Sequence, residues 1–341
     1  MEKNILVTGG AGFIGTNLLE YMLETYTDYN IICYDALTYA SNPKAMDCLM
    51  KKYDYFKFIN GDITDVQKIQ CVFREYDITD VIHLAAESHV DRSINNPYLF
   101  EETNVKGTLV LLDTALRYWS DKFHTLNGHR FHHVSTDEVY GSLELDSEDK
   151  FNEEMKYHPN SPYSASKAAS DHFVNAYHVT YGMETTITNC SNNYGPYQHN
   201  EKFIPTVLSC IKNKKSIPVY GDGKNVRDWL YVTDHAKAIC HVFHNGIPGE
   251  TYCVGGDGEK SNLEVIQDLM NVYIKYVKFT YNNDIDINEL KKLITFVDDR
   301  KGHDKRYALS HEKISKLGDG WKPETTWEDG LLKTINYYMQ N

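Results

Sequence analysis

Asn4-Ile5-Leu6-Val7-Thr8-Gly9-Gly10-Ala11-Gly12-Phe13-Ile14-Gly15 is the stretch on which the fold turns. Its first residues are a short apolar run of strand character, its glycines make a turn, and Leu18, Leu19, Met22 and Leu23 recur beyond them at helical spacing. Strand, glycine turn and helix in that order suit a dinucleotide. Glycines let the backbone approach a pyrophosphate, and the helix N-terminus offers free N–H groups and a partial positive charge. A GxGxxG pattern alone is weak. Here a second strand, Ile31-Ile32-Cys33-Tyr34, ends in Asp35, twenty residues after Gly15, where a carboxylate can accept from an adenosine ribose diol and would repel a 2′-phosphate. The expected cofactor is therefore NAD rather than NADP.

The alternation continues with a strand at Phe56 to Ile59, Gly61-Asp62-Ile63, and a helix from about Asp65 to Tyr76. Val81 to Ala86 reads as a strand apolar on both faces, and Ala85 and Ala86 at its end leave room for a cofactor or, alternatively, for a tight helix crossing. A long helical stretch covers Asn96 to Trp119, a strand Phe131 to Ser135, a helix Ser161 to Tyr181 and a strand Thr185 to Asn189. This rhythm predicts an α/β chain with a Rossmann-type doubly wound parallel sheet, whose ligands sit beyond the carboxyl ends of the strands. From about Tyr181 the pattern loosens toward a smaller mixed α/β part, with a strand at Thr251 to Val254, a helix from Asn262 to about Lys278, a polar surface insertion at Asn282 to Lys292, and a closing helix from Trp327. The expected division is 1–190 for cofactor binding and 191–341 for substrate, with some exchange of strands and helices between them.

Val134-Ser135-Thr136-Asp137-Glu138-Val139-Tyr140-Gly141 follows the strand that ends near Ser135, so its hydroxyl and two carboxyls fall at the ligand edge. Downstream, Tyr163 and Lys167 stand four apart on a helix and share a face. By themselves they read as a surface pair. Beside a dinucleotide site and an acidic doublet they read as a base, because an adjacent ammonium lowers a phenol's pKa from near 10.

The 341 residues are 41% hydrophobic and 24% charged, which is ordinary for a globular protein, and the formal charge is −13. That charge argues against nucleic acid or an anionic membrane as partner. No run of about 18 apolar residues occurs, and Met1-Glu2-Lys3-Asn4 lacks a basic leader, so neither a membrane span nor a signal peptide is expected. The seven cysteines have no CxxC spacing and are read as buried free thiols in a reducing, cytoplasmic setting. No ligand spacing joins the fifteen histidines into a metal site.

These stretches resemble the extended short-chain dehydrogenase/reductase family and, within it, the nucleotide-sugar 4,6-dehydratases, from Asn4 to about Pro323. The likeness is carried by the glycine stretch, Leu37-Thr38-Tyr39-Ala40, Leu84-Ala85-Ala86-Glu87-Ser88-His89-Val90-Asp91-Arg92-Ser93, Ser135 to Gly141, Tyr163-Ser164-Ala165-Ser166-Lys167-Ala168, Asn189 to Tyr197, and Arg227-Asp228-Trp229-Leu230-Tyr231-Val232. Thr136-Asp137-Glu138 is the narrow marker, since related 4-epimerases usually lack the acidic pair.

The resemblance implies that Thr136 bonds the sugar 4-hydroxyl, Tyr163 removes its proton, and Lys167 holds the nicotinamide ribose and lowers the Tyr163 pKa. Glu138 would abstract the C5 proton and Asp137 would protonate the departing C6 hydroxyl. It further implies cofactor contacts at Gly9, Gly12, Phe13, Ile14, Gly15, Asp35, Asp62, Ile63, Ala85, Ala86, Tyr163 and Lys167. Substrate contacts are implied at Ser88, His89, Asn192, Lys202, Arg227, Asn262 and Tyr307, Arg227-Asp228 being otherwise a local ion pair. A thymidine-diphosphate glucose is the implied substrate, with the uridine form as the alternative; a 4-epimerase would leave Asp137-Glu138 without a job. A homodimer through helices at about Pro97 to Tyr118 and Ser161 to Tyr181 is also implied. The chain departs from the pattern at Lys301, where proline is usual, and in the Asn282 to Lys292 segment.

Overall fold

The computed structural model describes residues 3–299 and 303–340, so Lys301 lies outside the described residues. Strands β1 (Lys3–Thr8), β2 (Tyr29–Asp35), β3 (Phe56–Asn60), β4 (Asp80–His83), β5 (Arg130–Thr136) and β6 (Glu184–Cys190) are followed by β7 (Asn192–Tyr194), β8 (Ile217–Tyr220), β9 (Val226–Arg227), β10 (Trp229–Tyr231), β11 (Thr251–Val254), β12 (Lys260–Ser261) and β13 (Ile294–Val297). The helices are α1 (Phe13–Thr25), α2 (Pro43–Lys52), α3 (Val66–Glu75), α4 (Val90–Asn95), α5 (Pro97–Phe100), α6 (Gly107–Phe123), α7 (Pro162–Tyr181), α8 (Phe203–Asn213), α9 (Val232–Asn245), α10 (Asn262–Tyr281), α11 (Ile287–Lys291), α12 (Glu312–Ser315) and α13 (Trp327–Gln340).

Seven parallel strands form one sheet in the order β11-β6-β5-β4-β1-β2-β3. Chain order reverses between β1 and β4, which opens a crevice at their carboxyl ends. Ile5 and Val7 face one layer, packed with Leu19, Met46 and Phe243 from α1, α2 and α9; Leu6 faces the other, with Phe73, Leu111 and Val174 from α3, α6 and α7. Both faces of β1 are thus covered, as the unbroken apolar run requires. A further core joins α8, α10 and α13 through Leu208, Leu269 and Leu331. The chain returns to the main sheet in between, since β11 pairs with β6 and α9 packs on α1.

The structure corrects several expectations. The stretch from Asn96 to Trp119 is not one helix: a π-helical turn at Glu101–Lys106 separates α5 from α6. The extra residue in that turn carries the buried Asn104 side chain inward, where it donates to the Glu87 carbonyl (3.0 Å) and the Ser166 hydroxyl (2.8 Å) and accepts from the Glu87 N–H (2.8 Å). Strand β4 ends at His83, and Leu84 to Ala86 continue as loop, with the Leu84 N–H still donating to the Thr8 carbonyl. The Asn282 to Lys292 segment is more than surface: its Leu290 is buried in the α8/α10/α13 core, and β13 just beyond it pairs with β8. Cys48 and Cys71 are exposed, although Cys33, Cys190, Cys240 and Cys253 are buried, and all seven are free.

Candidate active site

The crevice at the sheet's switch point is a cavity of about 390 Å³. Gly9 adopts a left-handed φ of +72°, and a Cβ there would lie 2.5 Å from the Ala85 nitrogen; one on Gly15 would lie 2.2 Å from the Gly9 oxygen. The loop therefore closes only with bare backbone at both positions. Gly12 caps α1 without any side-chain bond, which leaves the first N–H groups of the helix open toward the cavity. Asp35 ends β2 and is nine-tenths buried, its Oδ2 accepting from the Ala11 N–H (3.0 Å) and its Oδ1 from the Leu37 N–H (2.8 Å). Burial raises its pKa while those two bonds pull it down, and each oxygen keeps a lone pair for a ribose hydroxyl.

The same cavity is lined by Phe13, Ile14, Asp62, Ile63, Ala85, Ala86, Ser88, Asn192, Lys202, Thr136, Asp137, Glu138, Tyr163 and Lys167. Cofactor, catalytic and three of the substrate candidates thus converge from seven segments of the chain. Asp62 itself is engaged locally, its Oδ1 accepting from the Thr64 N–H and hydroxyl, both at 2.8 Å. Lys202 Nζ donates to the Ser88 carbonyl at 3.2 Å.

Four substrate candidates do not line it. His89 Nε2 lies 3.8 Å from Glu201. Arg227 donates to the carbonyls of Val226 (2.7 Å) and Asp304 (3.0 Å), with its guanidinium 4.3 Å from the centre of the Tyr307 ring. Antiparallel pairing of β9 with β12 brings Asn262 beside this pair, and Tyr307 is nearly fully buried. The local ion-pair reading of Arg227 with Asp228 does not hold, because the Asp228 carboxylate accepts from the N–H groups of Gly256 (2.9 Å) and Gly258 (2.8 Å). Arg227 instead bears on Asp137, and Tyr307 feels Glu138, so the pair borders the acidic doublet from outside the cleft.

Thr136 ends β5 and its side chain caps the short 3₁₀ turn Asp137–Tyr140 by accepting from the Glu138 N–H, while its hydroxyl lies 3.2 Å from Asp137 Oδ1. Asp137 is buried, and its Oδ2 has no hydrogen-bond partner among the described residues. Burial, then the charges of Glu138 and Asp228, push its pKa well above the carboxylate range against the pull of Arg227. An acid with its pKa raised beside a second, half-buried carboxyl is the arrangement from which two adjacent carboxyls can divide acid and base roles.

Helix α7 starts at a reciprocal Ser161–Ser164 capping box with Pro162 in its first turn, which sets the phase of Tyr163 and Lys167. Tyr163 lies within hydrogen-bond reach of Thr136, but burial first and Glu138 second hold its phenol well above 10. The expected lowering by Lys167 is absent: Lys167 Nζ donates to the Val134 carbonyl (2.9 Å), with His133 Nε2 at 3.3 Å. Burial brings the Lys167 pKa down to about 8. His133, Asp171 and Asn104 went unread in the sequence, because nothing in their spacing points to the cleft; only Asp171, one turn beyond Lys167, carried a periodic signal. His132, by contrast, is tied between Thr186 (2.9 Å) and Thr188 (3.2 Å) inside the sheet. No group of three His, Cys, Asp or Glu side chains suited to a metal occurs among the described residues.

The sequence profile of a family described as GDP-mannose 4,6 dehydratase matches residues 6–334. A dTDP-glucose 4,6-dehydratase of Haemophilus influenzae is 47% identical over 344 residues, covering 99% of this chain and 98% of that protein. Among solved structures, the dTDP-glucose 4,6-dehydratase of Bacillus anthracis in complex with NAD superposes with a TM-score of 0.84 at 41% identity, over 99% of this chain and 97% of that one. The dTDP-glucose 4,6-dehydratase of Streptomyces venezuelae with NAD and TYD bound does so at 0.85 and 39%, over 99% and 97%.

Proposed function

The chain belongs to the GDP-mannose 4,6 dehydratase family, and from that membership we infer that it is a dTDP-glucose 4,6-dehydratase, an NAD-dependent hydro-lyase that makes the 4-keto-6-deoxy sugar. The observation that carries this reading is the Thr136-Asp137-Glu138 turn, set against Tyr163 in the cofactor cleft with burial raising the Asp137 pKa. The glycine cradle and Asp35 fit NAD, which when bound supplies the reversible redox partner for sugar C4 and C6.

Each protonic step falls to a residue of the chain. The Thr136 hydroxyl accepts or donates at the sugar 4-hydroxyl and orients it toward the Tyr163 oxygen, which takes its proton once the phenol has itself given up its own. Lys167 holds a ribose hydroxyl with a donor left over from Val134 and His133. Glu138 removes the proton from C5, made acidic by the neighbouring ketone, and Asp137 protonates the C6 oxygen as water leaves. Glu138 then returns a proton to C5. Arg227 and Lys202 contribute the positive charge that a diphosphate needs in a chain of net charge −13, with Ser88, His89, Asn192, Asn262 and Tyr307 around the nucleotide. Residues 1–190 chiefly serve the cofactor and 191–341 the substrate.

Two copies associate through α5 to α7 in this reading, supported by the exposed apolar side chains of Tyr98, Leu99, Phe173 and Val179 there. The setting is cytoplasmic and reducing, supported by seven free cysteines; no helix of the described residues is long and apolar enough to cross a membrane. The decisive experiment incubates the enzyme separately with dTDP-glucose and UDP-glucose carrying deuterium at C4. Loss of one water with label at C6, faster from dTDP-glucose, is expected. Label returned to C4 without water loss would replace the dehydratase by an epimerase.

A further inference from the structure

Behind the cleft lies a buried polar network that reaches the cavity lining only at Ser135 and Lys167. The His133 Nε2 that stands 3.3 Å from Lys167 Nζ is also 3.2 Å from Asp171 Oδ1. Asp171 is one helical turn beyond Lys167 and 2% exposed, and it does not line the cofactor cavity. Its Oδ2 accepts from Ser135 Oγ (2.9 Å), Tyr157 OH (2.9 Å) and Asn189 Nδ2 (3.2 Å). Burial raises its pKa, and the Lys167 charge and these three donors oppose that rise. Two of them lead back to the reacting turn: Ser135 precedes Thr136, and Asn189 Nδ2 also donates to the Thr136 carbonyl at 3.2 Å.

We propose that Asp171 is a positioning residue of the dehydratase: it supplies the counter-charge that keeps the buried Lys167 an ammonium, with His133 between them, and it ties the strand bearing Thr136 to the helix bearing Tyr163. This rests on the role given to Lys167 above. The groups facing Lys167 are His133 from β5, Cys190 from the end of β6, Asp171 from its own helix, and, behind His133, His83 from β4 with its ring 5.1 Å away. Burial keeps both histidines neutral and the Cys190 thiol protonated, which leaves Asp171 as the acidic group that favours the ammonium. It is also the larger of the influences that oppose the burial of the Lys167 charge. His133 Nε2 accepts from Lys167 when the ring proton sits on Nδ1, while Asp171 Oδ1, 3.2 Å away, has no hydrogen-bond partner among the described residues.

The test is the pH dependence of kcat in holoenzyme carrying Asp171→Asn, which keeps the side chain's shape and removes its charge. The alkaline limb should move down by about one pH unit, the effect of losing one close opposite charge. Tyr157→Phe, which keeps the charge and loses one hydrogen bond, should lower the melting temperature and leave the limb in place. An unmoved limb in Asp171→Asn, whatever its melting temperature, overturns the proposal. Should that variant not fold, lysine-selective NMR of the wild-type holoenzyme decides, with Lys167→Met assigning the signal: an ammonium at pH 7 supports the proposal, and a neutral Lys167 overturns it. Full activity in Lys167→Met would sink the role of Lys167, and this proposal with it, whereas lost activity there with an unshifted Asp171→Asn profile sinks this proposal alone.

Discussion

Lys167 Nζ donates to the carbonyl oxygen of Val134 at 2.9 Å, which fastens the catalytic face of α7 to the strand that carries Thr136 two residues later. The bond needs the lysine's hydrogen atoms, and the charge behind them is held at a cost by a fully buried site.

The pH dependence follows from that burial. Lys167 loses its proton at about 8, against about 10.4 for a lysine in the unfolded chain. Between those values the unfolded state binds the more protons, so this group's contribution to stability rises with pH while its ammonium is being lost. Activity should fall through pH 8 with no matching fall in melting temperature attributable to Lys167. Parallel loss of both would mean that unfolding sets the alkaline limit.

Asp137 and Glu138 should fail at different steps. Asp137→Asn removes the acid and should slow water loss about 10²–10⁴-fold while C4 oxidation persists, so reduced cofactor accumulates in a single turnover and is read by its absorbance. Glu138→Gln should abolish exchange of the C5 proton with solvent, because an amide cannot take it. Unimpaired exchange in that variant would move the base elsewhere.

Tyr163→Phe should lower the oxidation step by about 10²–10⁴-fold, since the phenol oxygen facing Thr136 is the group proposed to take the 4-hydroxyl proton. Cofactor reduction at the wild-type rate in this variant would remove Tyr163 from the mechanism.

Gly15→Ala places a Cβ 2.2 Å from the Gly9 oxygen and 2.6 Å from the Gly10 Cα, both backbone atoms that cannot swing aside. A loss of about 1–3 kcal/mol in stability is expected from such overpacking. Less NAD should be released on denaturing the purified protein. Unchanged cofactor content would argue that the loop adjusts.

Arg227→Ala should raise KM with kcat little changed, because the diphosphate role proposed for its guanidinium acts away from the reacting carbons. Its packing on Tyr307 and its bonds to Val226 and Asp304 predict some loss of melting temperature as well. A collapsed kcat at constant KM would place Arg227 in the chemistry.

What the sequence determined by itself was whatever rests on local periodicity and backbone chemistry. The run at Ile5–Thr8, the glycines that follow and Asp35 specify strand, turn, helix and a carboxylate at the end of the second strand through spacing alone, and Thr136-Asp137-Glu138 announces two carboxyls after a strand. Such patterns are legible because each depends on neighbours within a turn or two. Tertiary structure alone decided the electrical state of those groups. Lys167 and Tyr163 share a helical face as their spacing requires, yet the lysine turns to Val134 and His133, and burial sets both pKa values more strongly than either acts on the other. Asp171 and His133 come together only when α7 lies across β5, and Asn104 reaches Glu87 only through a π turn. Desolvation and contact across elements depend on what packs around a residue, which no linear spacing encodes.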